Sequence, residues 1–242
     1  MSVPIAAFQR SVQAVLHRAG YHLSYLGEFT PSRRAQLLAH AGVQDLLDIG
    51  ANTGQWATAA RKAGYRGRLW SYEPGGREFE VCSRAARKNP DWRVERCAVG
   101  DRPGTMTLHR SENSLFSSLV PVLSRGLDAS PDAVQVASEE VTVRTLDEIT
   151  AGMTGLVGVK IDVQGFESQV LGGGPVTLKS AVYLETELSL QPVYEGEPLY
   201  REMLDRIAGL GFRLAMVEPV WPDHATGECL QFNGMFLRAS QA

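Results

Sequence analysis

Carboxylates stand at several points where an apolar run gives way to a bend, and there the chemistry of this chain is to be sought. Asp48 closes the run Leu46-Leu47-Asp48-Ile49, and Gly50-Ala51-Asn52-Thr53-Gly54 follows. A buried strand that breaks into a glycine-rich turn and opens a helix puts free backbone N–H groups beside a bound small molecule. The glycines are spaced G-x-x-x-G, unlike the G-x-G-x-x-G of dinucleotide folds. Asn52 sits between them, and asparagine tolerates left-handed backbone better than most residues. The Asp48 carboxylate would repel a pyrophosphate and would suit a sulfonium-bearing amino acid.

The other carboxylates fall into a comparable pattern. Glu73, followed by Pro74, lies about 25 residues after Asp48, where an acidic side chain accepts hydrogen bonds from ribose hydroxyls. Ala98-Val99-Gly100-Asp101 combines small residues, which let backbone approach a flat ring, with a carboxylate for an adenine amino group. Asp162 ends the run Val157 to Ile161, next to the switch point where open α/β sheets bind ligands, and Gly165 gives the chain room to turn. An aspartate there would take a proton from a hydroxyl or bind a metal. Glu185, in Leu184-Glu185-Thr186-Glu187, is expected at the same face, as second choice of base and as partner of Asp162 for any divalent cation. Nothing in the spacing requires such an ion. Tyr194 offers a ring for stacking in a substrate-side loop. His224 reads as a surface histidine.

The elements that must position these residues follow from periodicity. Helical spacing predicts helices over roughly 4–19 and 31–41. Strands are expected over 43–49, 68–72 and 92–97, alternating with helices over 55–63 and 77–88, which argues for a parallel sheet covered on both faces. Short strands at 105–109 and 141–144 are expected to pair at a sheet edge. The Ser-, Pro- and Asp-rich residues 111–140 between them read as a flap over the site. A short helix at 145–149, a strand at 157–161, a helix at 166–171, a strand at 182–184 and a helix at 199–210 come next. Strands at 212–217 and 232–237, with too little chain between them for a helical crossover, are expected to run antiparallel. Residues 1–40 read as an N-terminal helical extension and 41–242 as a single domain.

The 242 residues carry 24 Lys and Arg against 27 Asp and Glu, a formal net charge of −3. No basic block gives nucleic acid a footprint. No apolar run has the length of a transmembrane helix, and no secretory leader is read at the N-terminus. Cys82, Cys97 and Cys229 are too few and scattered for a disulfide framework, and a reducing cytoplasm suits them. A homodimer through the N-terminal helices is left open.

Taken together, Leu-Asp-Ile-Gly-Ala-Asn-Thr-Gly at 47–54, Tyr-Glu-Pro at 72–74, Ala-Val-Gly-Asp at 98–101, Arg-Thr-Leu-Asp-Glu-Ile at 144–149, Lys-Ile-Asp-Val-Gln-Gly-Phe-Glu at 160–167 and Leu-Glu at 184–185 resemble the FkbM-type methyltransferases. These are a branch of the class I S-adenosylmethionine-dependent enzymes, and the resemblance covers about residues 40–240. It implies a Rossmann-like α/β fold with a mostly parallel seven-stranded sheet and an antiparallel last strand. It implies O-methylation of a small-molecule, glycolipid sugar or polyketide-type hydroxyl, of the kind found in secondary metabolism. It also implies that Asp48, Gly50, Asn52, Gly54 and Glu73 line the S-adenosylmethionine site while Asp162 faces the reacting groups. The family often carries Glu where this chain has Gln164. The rival readings are a nucleotide-dependent oxidoreductase on a similar sheet, a non-catalytic S-adenosylmethionine-binding protein, and a nucleic-acid methyltransferase. The glycine spacing and Asp48 count against the first, the intact Asp162 and glycine turn against the second, and the charge against the third.

Overall fold

A computed structural model of the chain describes residues 30–239. The predicted helix over 4–19 lies outside them. Seven strands form one sheet: β1 (Asp45–Ile49), β2 (Arg68–Tyr72), β3 (Trp92–Glu95), β7 (Val157–Ile161), β8 (Tyr183–Ser189), β9 (Phe212–Pro222) and β10 (Cys229–Arg238). Their order is β3-β2-β1-β7-β8-β10-β9, parallel except for β10, which runs antiparallel to both neighbours. The antiparallel last strand is as expected. Both β1 and β7 are buried along their whole length, which is why they read as near-continuous apolar runs.

Helices cover both faces. Leu38 of α1 (Thr30–His40), Ala57 and Ala60 of α2 (Gln55–Lys62), and Cys82 and Ala86 of α3 (Gly76–Ala86) pack on Leu46, Leu69, Tyr183 and Met235. On the other face lie α5 (Leu146–Thr150), α6 (Glu167–Gly172), α7 (Pro175–Ser180) and α8 (Tyr200–Gly209). There Leu146, Val170, Leu178, Met203 and Ile207 meet Leu47, Val159, Ile161 and Leu184. Side chains alternate across each strand, so each strand feeds both cores. The N-cap of α5 is a capping box, in which Thr145 accepts from the Glu148 N–H and Glu148 from the Thr145 N–H.

The middle of the chain departs from expectation. The predicted strand over 92–97 splits, because the chain leaves the main sheet after Glu95. β4 (Ala98–Gly100) joins a second sheet of order β4-β6-β5. Its other strands, β5 (Gly104–Ser111) and β6 (Gln135–Thr145), form a long antiparallel pair in place of two short edge strands. Residues 111–134 are correspondingly more ordered than a loop, with 3₁₀ turns at Ser114–Phe116 and Pro131–Ala133 and a short helix α4 (Ser124–Ala129). The last three strands outrun their expected lengths for a similar reason. Antiparallel pairing continues from Leu237↔Tyr183 to Gln231↔Ser189, and from Arg238↔Phe212 to Cys229↔Pro222.

Candidate active site

Three corners build a crevice at the carboxyl ends of the strands. The first follows β1, where Gly50 takes φ 74°. A side chain there would put its Cβ 1.8 Å from the Asp162 carbonyl oxygen, so only glycine lets β1 and β7 approach at their tips. Asn52 is left-handed, φ 47°. Its Oδ1 accepts from the Thr53 N–H at 2.7 Å, and its Nδ2 donates to the Ser114 carbonyl at 3.1 Å. Asn52 thus supplies both the turn and a tie to the segment above it.

The second corner follows β2. Both oxygens of Glu73 accept backbone N–H groups, Oε2 from Asn52 at 2.7 Å and Oε1 from Gly75 at 2.8 Å. Burial still outweighs these bonds and pushes the carboxyl up to about 7. The third corner follows β7. Asp162 is the least buried of the charged side chains here, at 39% exposure, and lies 3.4 Å from Lys160 Nζ.

The crevice runs between these corners and is open at its mouth. Gly50, Asn52, Glu73, Pro74, Ala98 and Asp162 all line it. Ser114, Leu115, Ser117, Ser118 and Leu119 close it from above. Of the residues 111–140 read as a flap, those between 114 and 119 thus border the crevice.

Four expected residues do not reach the lining. Asp48 is fully buried within β1, with Lys160 Nζ 3.0 Å from its Oδ1 and Ser71 Oγ donating to its Oδ2 at 3.3 Å. Gly54 caps α2 at φ 81°, and a side chain there would crowd Cys82 Sγ and Trp92. Its role is packing. Asp101 is exposed in the turn after β4, because the crevice is met by Ala98 and Val99 and the chain has left it two residues later. Glu185 is the largest correction. It lies one layer beneath the strand tips, where Arg34 of α1 grips both its oxygens at 2.9 Å, Tyr183 donates at 2.6 Å and Trp56 Nε1 at 3.2 Å. With its oxygens taken by these donors and outside the crevice lining, Glu185 does not assemble with Asp162 as the expected pair. β8 runs on to Ser189, which makes Glu187 the acidic residue near its tip. Among the described residues, no group of three or more His, Cys, Asp and Glu has the arrangement of a metal site.

Two side chains missed in the sequence are central. Lys160 is fully enclosed, donates to the Gly50 carbonyl at 3.1 Å and faces both Asp48 and Asp162. Those carboxylates outweigh the burial that disfavours its charge, and hold its pKa above that of an ordinary lysine. The signal was present, since a lone lysine in a strand otherwise apolar on both faces must be paired. Gln164, at φ 57°, donates from Nε2 to Asp162 Oδ1 at 2.7 Å and to Glu187 Oε2 at 3.1 Å. Tyr194, expected as an open stacking ring, is instead buried beneath it. His224 is exposed in the turn between β9 and β10, as expected.

Comparison with known proteins bears on the family and the fold. The Methyltransferase FkbM domain matches residues 48–214. The 2-O-methyltransferase NoeI of Sinorhizobium fredii (strain NBRC 101917 / NGR234) is 29% identical over 168 residues, 66% of this chain and 69% of that protein. The solved FkbM methyltransferase of Methylobacillus flagellatus KT superposes with a TM-score of 0.50 at 13% identity, over 80% of this chain. This chain covers 44% of that one. Magnesium protoporphyrin IX methyltransferase of Synechocystis PCC 6803 superposes at 0.46 and 10% identity, over 99% of this chain and 86% of that one. The strand order and the Methylobacillus structure give a Rossmann-like class I methyltransferase fold. With a domain match spanning more than half its length, the chain belongs to the FkbM methyltransferase family.

Proposed function

We propose that this protein is an S-adenosylmethionine-dependent O-methyltransferase acting on a hydroxyl of a small molecule, a glycolipid sugar or a polyketide-type metabolite. The observation that carries the reading is the placement of Asp162. It is the partly exposed carboxylate at the lip of a crevice whose floor is the Gly50 cradle and the buried Glu73. The 2-O-methyltransferase activity named for NoeI supports an oxygen acceptor.

The residues fit the donor on two counts. Gly50 brings bare backbone to the crevice where a Cβ would strike the Asp162 carbonyl, and Glu73 presents a buried carboxylate to the space where a ribose diol would donate. Gly50, Asn52, Glu73, Pro74 and Ala98 would hold it. S-adenosylmethionine, when bound, supplies a methyl group already activated on a sulfonium. What the protein must add is an oriented oxygen nucleophile and a place for its proton. Asp162 takes that proton at its carboxylate as the acceptor oxygen loses it. Lys160 keeps a positive charge beside Asp162 and holds the Gly50 carbonyl in place. Ser114 to Leu119, tied down through Asn52, exclude water from above.

Incubation with methyl-labelled S-adenosylmethionine and a panel of glycosides and polyketide alcohols, read by mass spectrometry, tests the reading. Asp162→Asn is expected to lower kcat by about 10²- to 10⁴-fold while the affinity for S-adenosylhomocysteine stays within a few-fold. Full single-turnover activity in that variant would remove Asp162 from the chemistry.

A further inference from the structure

The hydrogen bonds around Gln164 have a directionality that bears on Asp162. Tyr194 donates its hydroxyl to Gln164 Oε1 at 2.6 Å. The amide oxygen is thereby occupied, so the NH₂ end must face the two carboxylates, one hydrogen for Asp162 Oδ1 and one for Glu187 Oε2. The opposite orientation would set a carbonyl against the Asp162 carboxylate and lose the 2.6 Å bond from the phenol to Oε1, leaving the phenol only the longer contact to the Phe116 carbonyl at 3.5 Å. Burial raises the Tyr194 phenol well above its ordinary range, so it stays a donor. Burial, with Asp162, Glu167 and Glu197 nearby, likewise raises Glu187 well above the usual carboxyl range.

Tyr194 is itself held rigidly. Its backbone N–H and that of Val193 donate to Glu197 Oε1, at 2.9 and 2.5 Å. Its ring lies against Gly165, where an added Cβ would stand 2.4 Å from the Tyr194 Cβ. Gly165 at φ 90° follows Gln164 at φ 57°, so two left-handed residues in succession turn the amide back toward Asp162. A side chain in that backbone conformation is costly, and it persists only where its surroundings fix it.

We propose that Gln164 and Tyr194 are positioning residues for Asp162: the buried Tyr194 hydroxyl selects the orientation of the Gln164 amide, and the amide so oriented fixes the Asp162 carboxylate at the crevice lip and keeps it apart from Glu187. This deepens the reading of Asp162 as the proton acceptor and rests on it. Tyr194 lies outside the crevice lining, which Gln164 borders. Their effect passes through the orientation of one carboxylate.

The test reads the amide directly, with no acceptor needed. In ¹H–¹⁵N spectra of deuterated, full-length protein, the Gln164 side-chain pair is assigned by its disappearance in Gln164→Met. Two carboxyl-bonded hydrogens are expected to lie downfield of free glutamine amides and to exchange slowly. Tyr194→Phe keeps the ring and its packing. It is expected to move this pair toward the free-amide position and speed its exchange, with S-adenosylhomocysteine affinity by calorimetry within threefold of wild type. An unmoved pair in Tyr194→Phe, or a free-amide signature in the wild type, overturns the proposal. Should Tyr194→Phe fail to fold, Asp162→Asn serves instead. It removes one acceptor carboxylate and must shift one hydrogen of the pair, and no shift there is equally contrary. With an acceptor from the panel, Tyr194→Phe and Gln164→Leu are expected to lose kcat roughly 10- to 100-fold with the KM for S-adenosylmethionine unchanged. A wild type that fails to bind S-adenosylhomocysteine would sink the methyl-transfer reading without altering the amide result.

Discussion

Glu73 shows how one residue couples the site to pH. Its carboxyl sits at about 7 because burial disfavours its charge, against the help of two backbone N–H groups. A ribose diol donates to the ionised form, so ligand binding must displace the proton below pH 7. Affinity for S-adenosylhomocysteine is expected to be flat above pH 7.5 and to weaken by up to about tenfold per unit below 7. Proton release should appear as a buffer-dependent heat in calorimetry near pH 6. Glu73→Gln should abolish the slope, and a slope that survives it would assign the effect elsewhere. At this scale the sequence was legible where a residue's role follows from its own chemistry and place. The Gly50 turn, the left-handed Asn52 and the strand-end Asp162 are of that kind. It was not legible where the role is fixed by a partner far along the chain. Nothing near Glu185 announces Arg34, 151 residues away, and nothing near Tyr194 announces the amide of Gln164.

At the scale of elements, the strands share one buried polar row. Ser71, Asp48, Lys160 and Glu185 stand side by side on β2, β1, β7 and β8. Trp92 closes the row at one end by donating to Ser71 at 2.9 Å, and Arg34 closes it at the other. Each charge is countered by a neighbour one strand away, so the row also fixes register. A slip of one residue would turn every one of these groups into the opposite, apolar core. Lys160→Met leaves Asp48 buried without its cation and is expected to cost about 3–5 kcal/mol in denaturant unfolding. Adding Asp48→Asn should recover part of that loss, whereas additive losses would show that the two do not couple. The row also explains the misplaced acid on β8. Expected to end at Leu184, the strand is extended by pairing with β10 to Ser189, which leaves Glu185 a layer below the tips and brings Glu187 toward them. Strand ends set by distant pairing leave no local mark.

For the whole molecule, the sheet is a two-sided scaffold that α1 helps to close. Arg34 reaches from α1 to Glu185 and, at 2.8 Å, to Glu218 on β9. α1 is therefore part of the packed domain, and its sequence reading as an extension understates it. Arg34→Met is expected to cost about 2 kcal/mol of stability and to leave S-adenosylhomocysteine affinity unchanged. An affinity loss with intact stability would tie α1 to the site. Global stability should also follow the buried acids. Glu73 and Glu167 both sit near 7 in the fold, each raised chiefly by burial, against 4.5 ordinarily. The folded state thus binds more protons than the unfolded chain between these values, and stability falls as pH rises through that window and then levels. Glu167→Gln should gain stability relative to wild type between pH 5 and 8, measured as the difference in Tm at each pH.

If the tips of β1, β2, β4 and β7 cradle an S-adenosyl donor on Gly50 and Glu73, the full chain binds the spent donor at one site. Calorimetric titration of the full chain with S-adenosylhomocysteine is the measurement, with Gly50→Val, which forces the tips of β1 and β7 apart, as the control. One-to-one binding by the wild type and its loss in the variant are expected. No binding by folded wild type, or equal binding by both proteins, would contradict that cradle.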